Sequence, residues 1–193
     1  MKFDALYENL MQRVLLENSE SIAILPGGFK PPHKGHFEAL QDLIGKAGAT
    51  SAIVYIGKSE RDGLTPQQSE QIWNIYIKYM DVPVAVEISE VSPVKSVYEY
   101  ADLNLDKHLF VGAGEEDMKR YAYFEKNKES YPLVKLVPIP PKYGRISGTD
   151  TRSKILGGDH DALQFVPDIV ERTDMDDIAS ILNIETQEAI SSL

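Results

Sequence analysis

The sequence predicts an α/β protein with a doubly wound, five-stranded parallel sheet that carries helices on both faces. Five short apolar segments lack the polar–apolar alternation of a sheet with one solvated face. Segments with helical patterning separate them, which is typical of parallel strands joined by crossover helices. Ligands of such sheets bind beyond the carboxyl ends of the strands, near the switch point. We therefore expect the functional residues in the loops after the first, fourth and fifth strands.

The order of elements follows from these patterns. The predicted strands cover 21–26, 51–57, 82–88, 107–113 and 131–139. The predicted helices cover 36–48, 65–80, 96–104 and 115–124, and a further helix begins within 148–158. Thr65 suits the N-cap of the second helix and Pro66 its first position, because proline needs no amide partner there.

Amphipathic segments extend the chain at both ends. Residues 3–16 place apolar side chains at helical spacing, which predicts a helix that packs on the domain or forms a homo-oligomer. The sequence from 174 onward has the same character. We therefore predict an N-terminal helix over 1–20, a main domain over 21–171 and a C-terminal helical cap over 172–193.

Composition excludes several classes of protein. The net charge of −10 and the pI near 4.9 argue against a broad basic face for nucleic acid, although a few converging cations can still bind a small phosphorylated ligand. The absence of cysteine excludes disulfides and thiolate metal sites. No continuous apolar run predicts a signal peptide or a membrane span, so we expect a cytoplasmic protein without membrane contact.

The string GGFKPPHKGH, residues 27–36, lies where the first strand passes into a helix. Its leading glycines allow the backbone to approach a ligand closely. The free amides of a helix that begins between His33 and His36 form an anion site, and both imidazoles can donate to phosphate oxygens. Gly35 leaves room for the phosphates. An H-x-G-H pattern alone also fits a metal half-site or surface histidines, and its place between strand and helix favours the anion site.

A second string, RISGTDTRSKIL, covers residues 145–156. Ser147 can cap the helix that follows, and Gly148 and Thr149 offer amides and a hydroxyl to an anion. Arg152 lies one turn further and can fold back over the same phosphate. Taken alone, the string equally fits an ordinary helix cap followed by a solvated arginine.

The first string resembles the G-x-F-x-P-x-H-x-G-H signature of the cytidylyltransferase-like nucleotidylyltransferases, and the second is similar to their I-S-S-T-x-x-R motif, with Gly148 replacing the second serine. The resemblance covers about residues 21–171 and includes FVPDIV at 165–170. It implies a Rossmann-like fold and transfer of a nucleoside monophosphate from ATP or CTP to a phosphorylated small molecule, with release of pyrophosphate. Mg²⁺ is expected to be carried by the triphosphate, so no protein-bound metal site is predicted.

The motifs assign candidate residues to each role. We predict catalytic roles for His33, His36 and Arg152. The residues predicted to bind the nucleotide are Gly27, Gly28, Phe29, Lys30, Lys34, Gly35, Lys58, Gly112, Gly114, Ser147, Gly148 and Thr149. Lys95 and Tyr98 are predicted to line the acceptor pocket. For Arg61, a solvated position in a charged loop is slightly favoured over contact with phosphates.

Several substrates fit these motifs. The S-G-T-x-x-R form favours ATP with nicotinamide mononucleotide as acceptor. GGDHDALQFVPDIV resembles pantetheine-phosphate adenylyltransferases, which makes phosphopantetheine the nearest rival, and YGRISGTDTR partly matches a CTP-dependent cytidylyltransferase. A regulator that binds nucleotide without turnover is the alternative from another class.

Overall fold

A single parallel sheet organises the computed structural model, which describes residues 20–140, 148–157 and 162–184. Its strands are β1 Ser21–Gly27, β2 Ser51–Ile56, β3 Val84–Ile88, β4 His108–Gly114 and β5 Val134–Ile139. They are arranged in the order β3-β2-β1-β4-β5, and all neighbours are parallel. The predicted five-stranded α/β fold is confirmed. The helix predicted over 1–20 lies outside the described residues, apart from Glu20.

Seven α-helices accompany the sheet in the described part of the chain. They are α1 Lys34–Ala47, α2 Pro66–Tyr76, α3 Pro93–Leu103, α4 Glu115–Met118, α5 Ala122–Lys126, α6 Gly148–Leu156 and α7 Arg172–Ile181. Short 3₁₀ turns cover Ile77–Tyr79, Lys119–Tyr121 and Ala162–Phe165. The helix predicted over 65–80 thus ends as a 3₁₀ turn, and the one predicted over 115–124 is divided into α4, a 3₁₀ turn and α5.

Both faces of the three central strands, β1, β2 and β4, are largely buried, which explains why these strands lack alternation. The edge strand β3 instead alternates between half-buried and exposed residues. On one face, Ala23 and Leu25 of β1 pack with α1, α2 and α7. On the other face, Ile22 and Ile24 pack with α3 and with residues around α5. Helices on both faces make the sheet doubly wound, as predicted.

The described part of the predicted C-terminal cap packs against α2 and the 3₁₀ turn that follows it. The Tyr79 hydroxyl donates to Oδ2 of Asp174 at 2.7 Å, and Gln68 Nε2 donates to the Ile181 carbonyl at 2.8 Å. The limits of the three predicted regions stay a prediction. Among the described helices, none has both the length and the apolar character that a membrane span requires.

The switch point lies between β1 and β4, because the chain continues from β1 to β2 on one side and reaches β4 on the other. Close packing beside β1 depends on Gly112 of β4. A Cβ built on Gly112 would lie 2.7 Å from Leu43 Cδ2 and 2.9 Å from Ile139 Cδ1. Gly112 therefore allows α1 and β5 to approach β4 closely.

We expect Gly112→Ala to lower the free energy of unfolding by about 1–2 kcal/mol, because the added methyl overfills a packed region. Gly45→Ala in α1 is the matched control, since its Cβ meets no atom within 4 Å and alanine favours the helix by about 0.5–1 kcal/mol. Urea denaturation of both variants measures the effect. Equal stability of the two variants would contradict the packing role.

Candidate active site

A cavity of about 810 Å³ opens at the carboxyl ends of the strands. Its lining comes from the loops after β1, β2, β4 and β5 and from the beginnings of α3 and α6. The loops after the first, fourth and fifth strands, in which the sequence predicts the functional residues, therefore line one cavity. Ligands of doubly wound sheets bind at this position.

Most predicted site residues lie on this lining. These are Gly27, Gly28, Phe29, Lys30, His33, Gly35, His36, Gly112, Gly114, Gly148 and Arg152. Thr149 contacts Arg152, as described below, and Ser147 lies outside the described residues. The lining defined by the described residues does not include Lys34, Lys58, Lys95 or Tyr98.

Two of the residues off the lining have other contacts. Lys95 forms an exposed ion pair with Glu99 at 3.1 Å along α3. The Tyr98 hydroxyl donates to the Arg120 carbonyl at 2.8 Å, and its ring lies 4.5 Å from that of Phe124. Tyr98 thus supports the segment that carries Arg120. The binding roles of these residues stay predictions.

Two arginines on the lining were not among the predicted site residues. Arg61 follows β2, where a solvated position is slightly favoured by the sequence, and Arg120 lies in the 3₁₀ turn after α4. Asp117 also lines the cavity and forms an ion pair with Arg120 at 3.2 Å. Arg120 belongs to no motif, and only its proximity to the fourth strand could have indicated it.

The loop after β1 is shaped by Phe29. Phe29 has a φ of 48°, in the left-handed region that is unusual for a large side chain. A Cβ on Gly27 would lie 2.6 Å from Cζ of this ring, so only glycine permits the contact. The ring meets Trp73 edge-on at 5.4 Å and His36 at 4.9 Å. The loop therefore connects α2 to the histidine pair.

The two histidines form a stacked pair at the beginning of α1. Their ring centroids lie 3.6 Å apart, and the ring planes differ by 25°. The His33 backbone N–H donates to Nδ1 of His36 at 3.2 Å. Because Nδ1 accepts this bond, the neutral His36 ring carries its proton on Nε2. Nδ1 of His33 is buried and has no hydrogen-bond partner among the described residues.

Burial keeps both imidazoles neutral near pH 7. It lowers the pKa of His33 to about 4. The pKa of His36 is also well below its ordinary value, first because of burial and then because of the neighbouring His33. A charged ring loses hydration in this position, and an anionic ligand would restore a favourable partner. The pair can therefore donate hydrogen bonds to an anion as neutral rings.

Lys30 connects the first loop to the end of β2. Its buried Nζ donates to the Gly28 carbonyl at 2.9 Å and to the Gly57 carbonyl at 2.8 Å. Burial lowers its pKa to about 8. The Gly57 N–H also donates to the Gly27 carbonyl at 2.9 Å. The lysine predicted to assist phosphate binding thus lies on the lining while its ammonium group joins two loops.

Arg152 joins the second motif to the first. The side chain is 7% exposed, and Nη1 donates to the Lys30 carbonyl at 3.0 Å across 122 positions of sequence. Nη2 donates to Thr149 Oγ1 at 3.1 Å, and Nε donates to Asp62 Oδ2 at 2.5 Å. The guanidinium and the two imidazoles therefore line the same cavity.

No protein-family model matches the chain, and no curated protein matches it in sequence. Solved structures do match. Nicotinic acid mononucleotide adenylyltransferase from Plasmodium falciparum, complexed with APC, shares 14% identity over 86% of this chain and 98% of that one, with a TM-score of 0.59. The chain has the fold of this adenylyltransferase.

Two further structures support the same fold. A Vibrio parahaemolyticus protein assigned as a nicotinate-nucleotide adenylyltransferase shares 17% identity over 82% of this chain and 98% of that one, with a TM-score of 0.59. A bifunctional NMN adenylyltransferase/ADP ribose pyrophosphatase from Francisella tularensis, complexed with AMP and a manganese ion, shares 16% identity over 85% of this chain and 51% of that one, with a TM-score of 0.54. The predicted resemblance is confirmed at the level of the fold.

The pKa of His33 predicts a loss of stability in acid. Its folded-state pKa of about 4 lies below the ordinary value of 6.5, so the unfolded chain takes up a proton first as the pH falls below 6.5. We expect this histidine to cost about 2 kcal/mol of unfolding free energy at pH 5 relative to pH 7. His33→Gln should lose correspondingly less stability over that interval. Parallel stability curves from urea denaturation would refute the assignment.

Proposed function

We propose that the protein is a nucleotidylyltransferase that transfers a nucleoside monophosphate, AMP from ATP as first choice, to a phosphorylated small molecule. One observation carries the proposal. His33, His36 and Arg152 come from two separate motifs and line a single cavity at the switch point of an adenylyltransferase-like fold.

The contacts suit this chemistry. An acceptor phosphate is already ionised near neutral pH, so its oxygen can attack the α-phosphorus without a strong base. The new bond joins the acceptor oxygen to the α-phosphorus, and the bond to the β-phosphate oxygen breaks to release pyrophosphate. The imidazoles of His33 and His36 would stabilise the charge that develops on the transferred group. Arg152, with Thr149 and the Gly148 amide, would hold the remaining phosphates.

The acidic residues on the cavity lining fit a metal ion that enters with its phosphate ligands. These residues are Glu60 and Asp117. Mg²⁺ would neutralise phosphate charge while retaining water in its coordination shell.

The acceptor is proposed to be a pyridine mononucleotide, with nicotinamide mononucleotide as first choice. The names of the structural neighbours favour this class, since they refer to nicotinic acid, nicotinate or nicotinamide nucleotides. Near α3, the cavity is lined by Ser92, Asp117, Arg120 and Tyr121. Arg120 offers a cation to the acceptor phosphate and Tyr121 an aromatic side chain to a ring.

We expect His36→Ala to reduce turnover by about 10²–10³-fold, because it removes a donor to the developing charge. Pyrophosphate release should be followed with ATP and with CTP against a panel of acceptors that includes nicotinamide mononucleotide, nicotinic acid mononucleotide and phosphopantetheine. His108→Gln is the control, since His108 begins β4 at the opposite end of the sheet.

The outcomes separate the candidate functions. Turnover with CTP alone would favour a cytidylyltransferase, and turnover with phosphopantetheine would change the acceptor. Tight ATP binding without pyrophosphate release from any acceptor would favour a regulator. Unchanged turnover in folded His36→Ala would remove this histidine from catalysis.

For the acceptor, we expect Arg120→Ala to raise KM for the phosphorylated acceptor by roughly tenfold, since a lost charge-assisted hydrogen bond costs at least about 1.5 kcal/mol and about 1.4 kcal/mol corresponds to a factor of ten. KM for the triphosphate should stay within about twofold. Arg172→Ala is the control, because Arg172 is an exposed arginine that forms an ion pair with Asp176 at 3.3 Å in α7. A rise in KM for the triphosphate alone would place Arg120 at the other substrate.

A further inference from the structure

We propose that Asp62 is a positioning residue that orients the Arg152 guanidinium toward the triphosphate. This inference rests on the proposed function, because Arg152 is assigned there to the phosphates. Asp62 lies outside both motifs and outside the cavity lining formed by the described residues. It would therefore act through Arg152 instead of touching the substrate.

Asp62 is presented by a tight turn between β2 and α2. Arg61 and Leu64 exchange two backbone hydrogen bonds of 3.0 Å, and the two residues between them have φ values of 51° for Asp62 and 77° for Gly63. Leu64 is 5% exposed and anchors the turn in the core. The paired backbone and the buried leucine fix the carboxylate relative to the sheet.

The hydrogen bonds of Arg152 leave a defined part of the guanidinium available. Five N–H groups radiate from the group in one plane. Asp62 accepts from Nε, the Lys30 carbonyl from Nη1 and Thr149 Oγ1 from Nη2. Among the described residues, these partners leave one N–H on each terminal nitrogen. Two such groups form the fork that binds phosphate oxygens in a bidentate manner.

Asp62 differs from the other two partners because it is charged. A buried guanidinium without a countercharge is costly, and the Asp62 carboxylate lowers this cost from the side away from the terminal nitrogens. The carboxylate is 52% exposed whereas Arg152 is 7% exposed, so Asp62 retains much of its own hydration. Its contact with Nε leaves the fork free for the ligand.

The same contact could instead oppose binding, if the carboxylate competed with the triphosphate for Arg152. The two roles predict opposite changes in the affinity for triphosphate when Asp62 is replaced. A competitor weakens the affinity for triphosphate, so its removal strengthens binding. A positioning residue supports the affinity, so its removal weakens binding. The geometry favours positioning because Asp62 engages Nε and lies off the lining.

A double-mutant cycle on the full chain tests the inference, with binding of Mg²⁺-ATP and Mg²⁺-CTP measured by calorimetry. We expect Asp62→Ala to raise the Kd of the preferred triphosphate by roughly tenfold, the effect of one lost charge-assisted hydrogen bond. Asp62→Asn retains an oxygen acceptor for Nε but lacks the charge, so it should raise Kd by about threefold, less than Asp62→Ala does. In an Arg152→Ala background, Asp62→Ala should change Kd by less than about twofold.

Asp42→Ala provides the control. This variant removes a partly exposed carboxylate that forms an ion pair with Lys46 at 3.0 Å in α1, and we expect an unchanged Kd. Tighter binding by Asp62→Ala would show competition and overturn the inference. The same weakening in the Arg152→Ala background would show a merely structural effect and would also overturn it.

The cycle also distinguishes this inference from the proposed function. If Arg152→Ala weakens triphosphate binding while both Asp62 variants bind like wild type, the inference fails and the proposed function stands. If the wild-type protein binds neither triphosphate, the proposed function fails and the inference with it. If Asp62→Ala does not fold, Asp62→Asn distinguishes the two roles. Weaker triphosphate binding by that variant supports positioning, and equal or tighter binding contradicts it.

Discussion

The candidate site depends on the packing of the Phe29 ring against the backbone of Gly27. Gly27 has no Cβ, and this allows the Phe29 ring to cover the end of β1. From there the ring reaches Trp73 of α2 on one side and His36 of α1 on the other. A substituent at Gly27 would displace the ring, and with it the support of the imidazole pair. The backbone conformation of Phe29, which is costly for a large residue, is therefore maintained by packing on both sides.

A second set of contacts brings together groups that are distant in sequence. Lys30 joins the first loop to β2 through its ammonium group and receives Arg152 at its carbonyl. The net charge of −10 does not conflict with an anion site, because solvent screens exposed charges beyond a Debye length of about 10 Å at 0.1 M salt. Four cations lie on the described lining, namely Lys30, Arg61, Arg120 and Arg152. The proposed affinity for an anion would therefore depend on short-range donors instead of long-range attraction by the whole protein.

The sequence predicts the fold well because strands buried on both faces have a simple apolar signature. The sequence does not distinguish an α-helical turn from a 3₁₀ turn, since both use similar residues and differ by a small backbone rotation. For this reason it predicts one helix over 115–124, where the structure has two α-helices joined by a 3₁₀ turn. Motif residues were found because a local string fixes their relative positions. For Lys58 and Lys95, the sequence indicates only the loop or helix that carries them, and tertiary packing decides which side chains reach the cavity. Asp62 and Arg120 belong to no local string, and only the folded chain brings them to the site.

The stacked histidines limit how much charge the site can add during binding. Their centroids are 3.6 Å apart, and two positive charges at that separation in a buried site repel strongly. A triphosphate bound as proposed would therefore favour protonation of at most one of the two rings. The hydrogen bond that fixes Nδ1 of His36 as an acceptor keeps that ring neutral with its donor on Nε2. Nδ1 of His33 is buried without a hydrogen-bond partner among the described residues, so a proton added there would meet no acceptor. Stacking and burial thus both favour two neutral rings, which can serve as the hydrogen-bond donors of the proposed anion site.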